Sequence, residues 1–263
     1  MSIIGAILGD IAGQPFEFNH TPVDYEHVKL FTAENHFTDD TVLTMATLHA
    51  LQNKTSFKEE YHSYGMAYYD RGYGGMFRKW LNSDDLEPYE SYGNGSAMRV
   101  SPVVDFAKSR EEVIKLAAQS AVVTHNHPEG IKGAVVTAVC GWMARNGANK
   151  NEILKYATEQ YPLEQYQYSC SQPLDVIRKK YHWDVTCQGS VPVAVRCFYE
   201  SESFDDFLRK TISMLGDTDT LGAIGGCFAG EFYKLKLNEA LPILRRYLDV
   251  SMIDDLQTLE DSR

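Results

Sequence analysis

Apolar residues recur along this chain at the three- and four-residue spacing of helices, and seldom in the alternation of strands. Leu43, Ala46, Thr47, Ala50 and Leu51 fall on one face of a helix starting near Asp40. The pattern returns over residues 111–123, 130–146, 151–159, 191–199, 204–215, 221–235 and 239–248. The run Ile3-Ile4-Gly5-Ala6-Ile7-Leu8 ends at Asp10 and lacks a basic flank. It is too short to span a bilayer and reads as a buried helix, neither leader nor membrane anchor. Small residues on the apolar side of many segments predict close helix–helix approach. Long glycine-bearing loops are expected around 13–38 and 70–100. With no Pro/Ser-rich linker, low-complexity tract or repeat, the pattern predicts an all-α fold in a single compact domain over 1–263.

Charge narrows the partners. Among 263 residues, 36 acidic side chains outnumber 25 basic ones, for a net charge of −11. That balance argues against a broad nucleic-acid surface or membrane binding, because phosphate contacts are made mostly by Lys and Arg. Cys140, Cys170, Cys187, Cys197 and Cys227 are scattered, odd in number and never spaced C-x-x-C. They predict neither a disulfide framework nor a zinc ribbon, and a reducing, cytoplasmic location.

Two acidic clusters carry the chemistry. Thr38-Asp39-Asp40-Thr41 precedes one helical segment, and Asp217-Thr218-Asp219-Thr220 precedes another. Asp and Thr are favoured helix caps, and acidic first turns complement the helix dipole, so either cluster alone has a plain structural explanation. One cap suffices per helix, however, and here there are several. Carboxylates with Thr hydroxyls, and no neighbouring Cys or His, are hard oxygen ligands suited to Mg²⁺, Mn²⁺ or Ca²⁺. An EF-hand starting at Asp217 fails, because its fifth position is Leu221 and its twelfth is Phe228. If the clusters meet in space, four carboxylates would bridge two cations roughly 3.5–4 Å apart. Weaker signals are Glu17 after Gly13 and Pro15, the Gly-rich turn 91–102 entering a short helix, and His125 with His127 before another. By themselves these read as a solvated carboxylate, a turn and a capped loop.

In this order, G-D-x-x-G-x-x-x-E at 9–17, F-T-D-D-T at 37–41, G-N-G-S-A-M-R at 93–99, T-H at 124–125 and G-D-T-D-T at 216–220 resemble the ADP-ribosylglycohydrolase family over nearly the whole chain. The resemblance implies an orthogonal all-α domain with two Mg²⁺ (or Mn²⁺) at the base of an ADP-ribose cleft. Motif by motif, it implies Thr38, Asp39, Asp40, Asp217, Asp219 and Thr220 as metal ligands and Glu17 as the glutamate beside the scissile bond. It implies Gly93, Asn94, Gly95, Ser96 and Met98 around the diphosphate and distal ribose, His125 on that ribose, and Tyr92 against the adenine.

The implied reaction is hydrolysis at the distal ribose C1″ of an ADP-ribosylated protein or small molecule, releasing ADP-ribose. Asp40 and Asp219 are candidates to take the water's proton, and Glu17 to assist at the leaving group. Arginine-specific members carry an Asp where this chain has Ser91. A neutral hydroxyl offers arginine no charge-assisted partner, which tilts the expectation toward O-linked, serine-type substrates. The family often places Gly-Gly before D-T-D-T, whereas Leu215 stands here; altered packing, and no change in ligation, is expected. Two other readings compete: a silent ADP-ribose-binding or crystallin-like protein, and a two-metal phosphoesterase, which would need a cationic group beside the phosphate.

Overall fold

The computed structural model describes every residue except 20, 22 and 263. Fifteen helices form among the described residues: α1 (Ser2–Gly13), α2 (Asp39–Asn53), α3 (Phe57–Ala67), α4 (Gly75–Leu81), α5 (Gly95–Met98), α6 (Ser101–Phe106), α7 (Arg110–Val122), α8 (Pro128–Arg145), α9 (Lys150–Gln160), α10 (Leu174–Arg178), α11 (Cys187–Glu200), α12 (Phe204–Ile212), α13 (Thr218–Phe232), α14 (Leu237–Leu244) and α15 (Val250–Asp261). A 3-10 turn covers Gln14–Phe16. No strand occurs among the described residues; one isolated antiparallel bridge joins Gly93 to Thr186.

Local signals place several helix starts. Ser109, Asn149, Thr186 and Ser203 each accept a backbone N–H of their own first turn, and Asn149 forms a reciprocal capping box with Glu152.

The centre of the molecule is the pair α1 and α13. Every residue of α1 is buried, as are residues 218–231 of α13. Helices this apolar all round belong inside a protein. They run antiparallel with backbones almost touching: a Cβ on Gly9 would fall 2.0 Å from the Gly222 carbonyl oxygen, and one on Gly5 2.1 Å from that of Gly226. Glycine every fourth residue on both helices therefore permits a separation that no side chain would allow. The small-residue pattern thus acquires its reason. It also brings the C-terminal end of α1 against the N-terminal end of α13.

The regions read as long loops are more structured than expected. The 13–38 region holds the 3-10 turn, with residues 20 and 22 outside the described residues, and 70–100 holds α4 and α5. Helix α4 begins at Gly74 and Gly75, which look like a loop, yet Phe77, Trp80 and Leu81 form a buried face at helical spacing. Helices α3, α10 and α15 lie outside the predicted segments, whereas α5 and α6 supply the short helix expected at the glycine turn. Helix α3 buries only Glu60, Tyr61 and Gly65, too few apolar positions to announce it.

Candidate active site

Three helix ends converge on one point. Asp10, wholly buried near the end of α1, accepts hydrogen bonds from the Thr38 N–H (3.0 Å), the Thr38 hydroxyl (2.8 Å), the Thr41 N–H (3.1 Å) and the Thr41 hydroxyl (2.5 Å). One carboxylate thus fastens the start of α2 to the α1–α13 pair. Thr38 is the actual cap of α2, its Oγ1 accepting the Asp40 N–H at 3.2 Å. Asp217 occupies the cap position of α13 without making a side-chain cap bond. Capping therefore accounts for Thr38 and leaves the carboxylates unexplained.

Those carboxylates crowd together. Oxygens of Asp10, Asp40 and Asp219 lie within 4.8 Å of one another, and so do oxygens of Glu17, Asp217 and Asp219. Asp219 belongs to both groups, so the two clusters seen in the sequence form one site. The Thr220 hydroxyl reaches across to Asp40 Oδ1 at 3.3 Å. Among the described residues, no Lys, Arg or His pairs with any of these five or with Asp39. Burial first, and then the neighbouring carboxylates, push Asp39, Asp40 and Asp219 well above the usual carboxyl range. Burial and the nearby Asp217 raise Glu17 to about 7. Asp40 Oδ2 is buried with no hydrogen-bond partner. An orphaned carboxylate oxygen inside an uncompensated acidic cluster is what a hard divalent cation would satisfy, and the donor set of carboxylates and Thr hydroxyls suits one.

A profile described as ADP-ribosylglycohydrolase matches residues 1–261. The chain belongs to the ADP-ribosylglycohydrolase family. By family it is a glycosyl hydrolase, of ADP-ribosyl hydrolase type. It is similar to ADP-ribosylhydrolase ARH3 of Mus musculus, at 28% identity over 89% of this chain and 83% of the relative. The Homo sapiens ARH3 is likewise 28% identical, over 88% and 84%. ADP-ribosylarginine hydrolase Tri1 of Pseudomonas putida (strain GB-1) is 23% identical, over 88% and 69%. A solved ADP-ribosylglycohydrolase-related protein complex shares the fold, with a TM-score of 0.72, 22% identity and coverage of 98% of this chain and 95% of that one.

Above the carboxylates of this family member opens a cleft of about 640 Å³. Glu17, Asp39, Asp40, Asp217, Asp219 and Thr220 line it, with Ser91, Tyr92, Gly93, Asn94, Gly95, Met98 and His125. Asn94 links the two groups, its Nδ2 donating to Asp217 Oδ2 at 2.6 Å. The turn is pinned from behind, where the Asn94 N–H donates to the Val185 carbonyl and the Cys187 N–H to that of Tyr92. Asp39 stands outside the two tight carboxylate groups, at the edge held by its N–H bond to the Arg71 carbonyl. Two of the expected residues do not line the cleft. Thr38 turns its hydroxyl onto Asp10, and Ser96 donates to the buried Gly130 carbonyl at 2.7 Å.

Asp10, which stands outside the expected ligand set, anchors the base of the cleft through its four accepted hydrogen bonds. Its signal was present, a lone acid inside an otherwise apolar helix. Leu215 takes the left-handed backbone region at φ 54°, which glycine adopts at no steric cost and leucine does not.

Proposed function

We propose that this chain is a divalent-cation-dependent hydrolase that cleaves the C1″ glycosidic bond of ADP-ribosylated substrates and releases ADP-ribose. The observation carrying this reading is the shared, uncompensated carboxylate cluster at the base of the cleft, with Asp40 Oδ2 left without a partner. Asp39, Asp40, Asp217, Asp219 and Thr220 would hold two Mg²⁺ or Mn²⁺, with Thr38 contributing its remaining lone pair. When bound, such ions supply electrophilic grip on the ribose hydroxyls and ease deprotonation of water.

The chain's own groups do the rest. Glu17, poised near neutrality, can carry a proton at the glycosidic atom and yield it as the C1″ bond breaks through an oxocarbenium-like state. Asp40 or Asp219 takes the proton of the water that adds to C1″. Gly93, Asn94 and Gly95 present backbone to the diphosphate and distal ribose without side chains in the way, and Tyr92 offers its exposed ring to the adenine. Arg99 is the single Lys or Arg among the described lining residues, and it is withdrawn from solvent, which disfavours a phosphoesterase.

Ser91 favours O-linked substrates, its hydroxyl accepting from the Gly93 N–H at 3.1 Å with no carboxylate of its own to meet a guanidinium. Glu90 beside it is an exposed acid lining the cleft, and it favours the arginine alternative. Release from ADP-ribosyl-serine and ADP-ribosyl-arginine peptides separates the two; faster arginine release overturns the serine preference. Glu17→Gln should abolish turnover of either peptide while ADP-ribose binding stays measurable. Near-normal rates would remove Glu17 from the mechanism.

A further inference from the structure

Arg99 is a fully buried guanidinium, and among the described residues no carboxylate pairs with it. Its charge lies 3.9 Å over the Tyr61 ring. Nη2 donates to the Ser120 carbonyl at 2.8 Å and to the Thr124 hydroxyl at 2.9 Å. Thr124 Oγ1 in turn lies 2.7 Å from His125 Nδ1. The other ring nitrogen, Nε2, faces the glycine turn: a Cβ on Gly95 would come within 3.1 Å of it, and one on Gly93 within 3.5 Å. His125 is nearly all buried and lines the cleft, and among the described residues its ring makes a hydrogen bond through Nδ1 alone.

Donor and acceptor rules fix the first link of this chain, and electrostatics orders the second. A guanidinium only donates, so Thr124 Oγ1 receives a charge-assisted bond from Arg99. With positive charge on one side, the hydroxyl proton turns to the other, onto Nδ1. The reverse arrangement would aim Nδ1–H at an oxygen already facing a guanidinium N–H. In that arrangement the hydroxyl proton would turn to the Tyr89 phenol, and the ring would carry its proton at Nδ1. A neutral imidazole accepting at Nδ1 must carry its proton at Nε2.

We infer that Arg99 and Thr124 are positioning residues that lock His125 in the Nε2–H tautomer, so that the donor chain Arg99–Thr124–His125 ends in the cleft as one fixed N–H aimed at an acceptor oxygen of the bound ligand. Taking that ligand as ADP-ribose rests on the function proposed above; the tautomer does not. Neither Arg99 nor Thr124 touches the ligand in this scheme. Arg99 acts through the proton order it imposes, and the glycines at 93 and 95 leave the space into which the N–H points.

Long-range ¹⁵N–¹H NMR near neutral pH tests it, with the His125 ring assigned by its loss in His125→Gln. The expected wild-type spectrum has Nε2 protonated and Nδ1 bare, and Thr124→Ser should keep it. Thr124→Val should mix or reverse the tautomers and weaken ADP-ribose binding about tenfold, the equivalent of one hydrogen bond. A wild-type ring protonated at Nδ1 overturns the lock, and that spectrum requires no variant to fold. A Thr124→Val protein with altered tautomer and unchanged affinity overturns the positioning role. If the wild-type tautomer is as expected but ADP-ribose does not bind, the lock stands and the proposed function falls.

Discussion

Replacing Asp40 with asparagine should stabilise the chelated protein and remove about half of the stabilisation that Mg²⁺ or Mn²⁺ confers. The swap keeps the shape: the amide oxygen can retain the Thr220 hydroxyl at the Oδ1 position, 3.3 Å away. The amide nitrogen then replaces Oδ2, the oxygen without a partner, and becomes a donor among the Asp10 and Asp219 oxygens within 4.8 Å. Two full charges at that separation repel by about 3.5 kcal/mol at an effective dielectric of about 20. Burial already holds these carboxyls well above their usual range, which favours their neutral forms, so the relief is smaller. About 1–2 kcal/mol is reasonable, or roughly 2–8 °C in melting temperature for a chain of this size. With cation at about a hundred times its Kd, the wild-type protein should gain about 2.7 kcal/mol, and a variant binding tenfold more weakly about 1.4 kcal/mol. Thermal melts of both proteins in EDTA and in graded MgCl₂ or MnCl₂ give all four numbers. An asparagine variant less stable than wild type in EDTA, or an equal cation-induced rise in both, would refute the reasoning.

Other outcomes follow from the same geometry. Gly9→Ala places a Cβ 2.0 Å from the Gly222 carbonyl oxygen and must push α1 off α13. Its overpacking cost, about 1–3 kcal/mol, exceeds the ~1 kcal/mol that alanine adds to a helix. Urea unfolding should show the loss, and cation affinity should fall with it; an unchanged midpoint would contradict the backbone contact. The acidic cluster also gives the chelated protein a pH slope. Its carboxyls are raised on folding, so their contribution is fullest below the unfolded carboxylate range and is lost as pH rises through the folded values, which for Glu17 is about 7. Melting temperature in EDTA should therefore fall between about pH 5 and pH 8 and flatten when cation is added; a rising or flat EDTA curve would count against the cluster as drawn.

Much of this was legible in the chain, for identifiable reasons. The α1 and α13 segments announced themselves because burial on all sides demands apolar and small residues along their whole length. The two acidic motifs were legible because carboxylates in succession are hard to excuse by capping alone. Their meeting was not, since it depends on glycine stripes at 5, 9 and 222, 226 whose mutual register no single segment encodes. Asp10 escaped for the same reason: its four donors come from residues 38 and 41, and only the fold brings them to it. Ser96 shows the opposite failure, where a motif position near the cleft spends its hydroxyl on the Gly130 carbonyl. Short helices such as α4 were hidden because their few apolar residues sit behind glycines that look like loop.

The most direct measurement is the identity of the product when a serine-ADP-ribosylated peptide is incubated with the protein, with and without a chelator. Mass spectrometry should find intact ADP-ribose and unmodified peptide in Mg²⁺ or Mn²⁺, and neither in EDTA. Release of AMP, or release of ADP-ribose that EDTA leaves unchanged, would contradict a cation-holding carboxylate site that breaks the glycosidic bond.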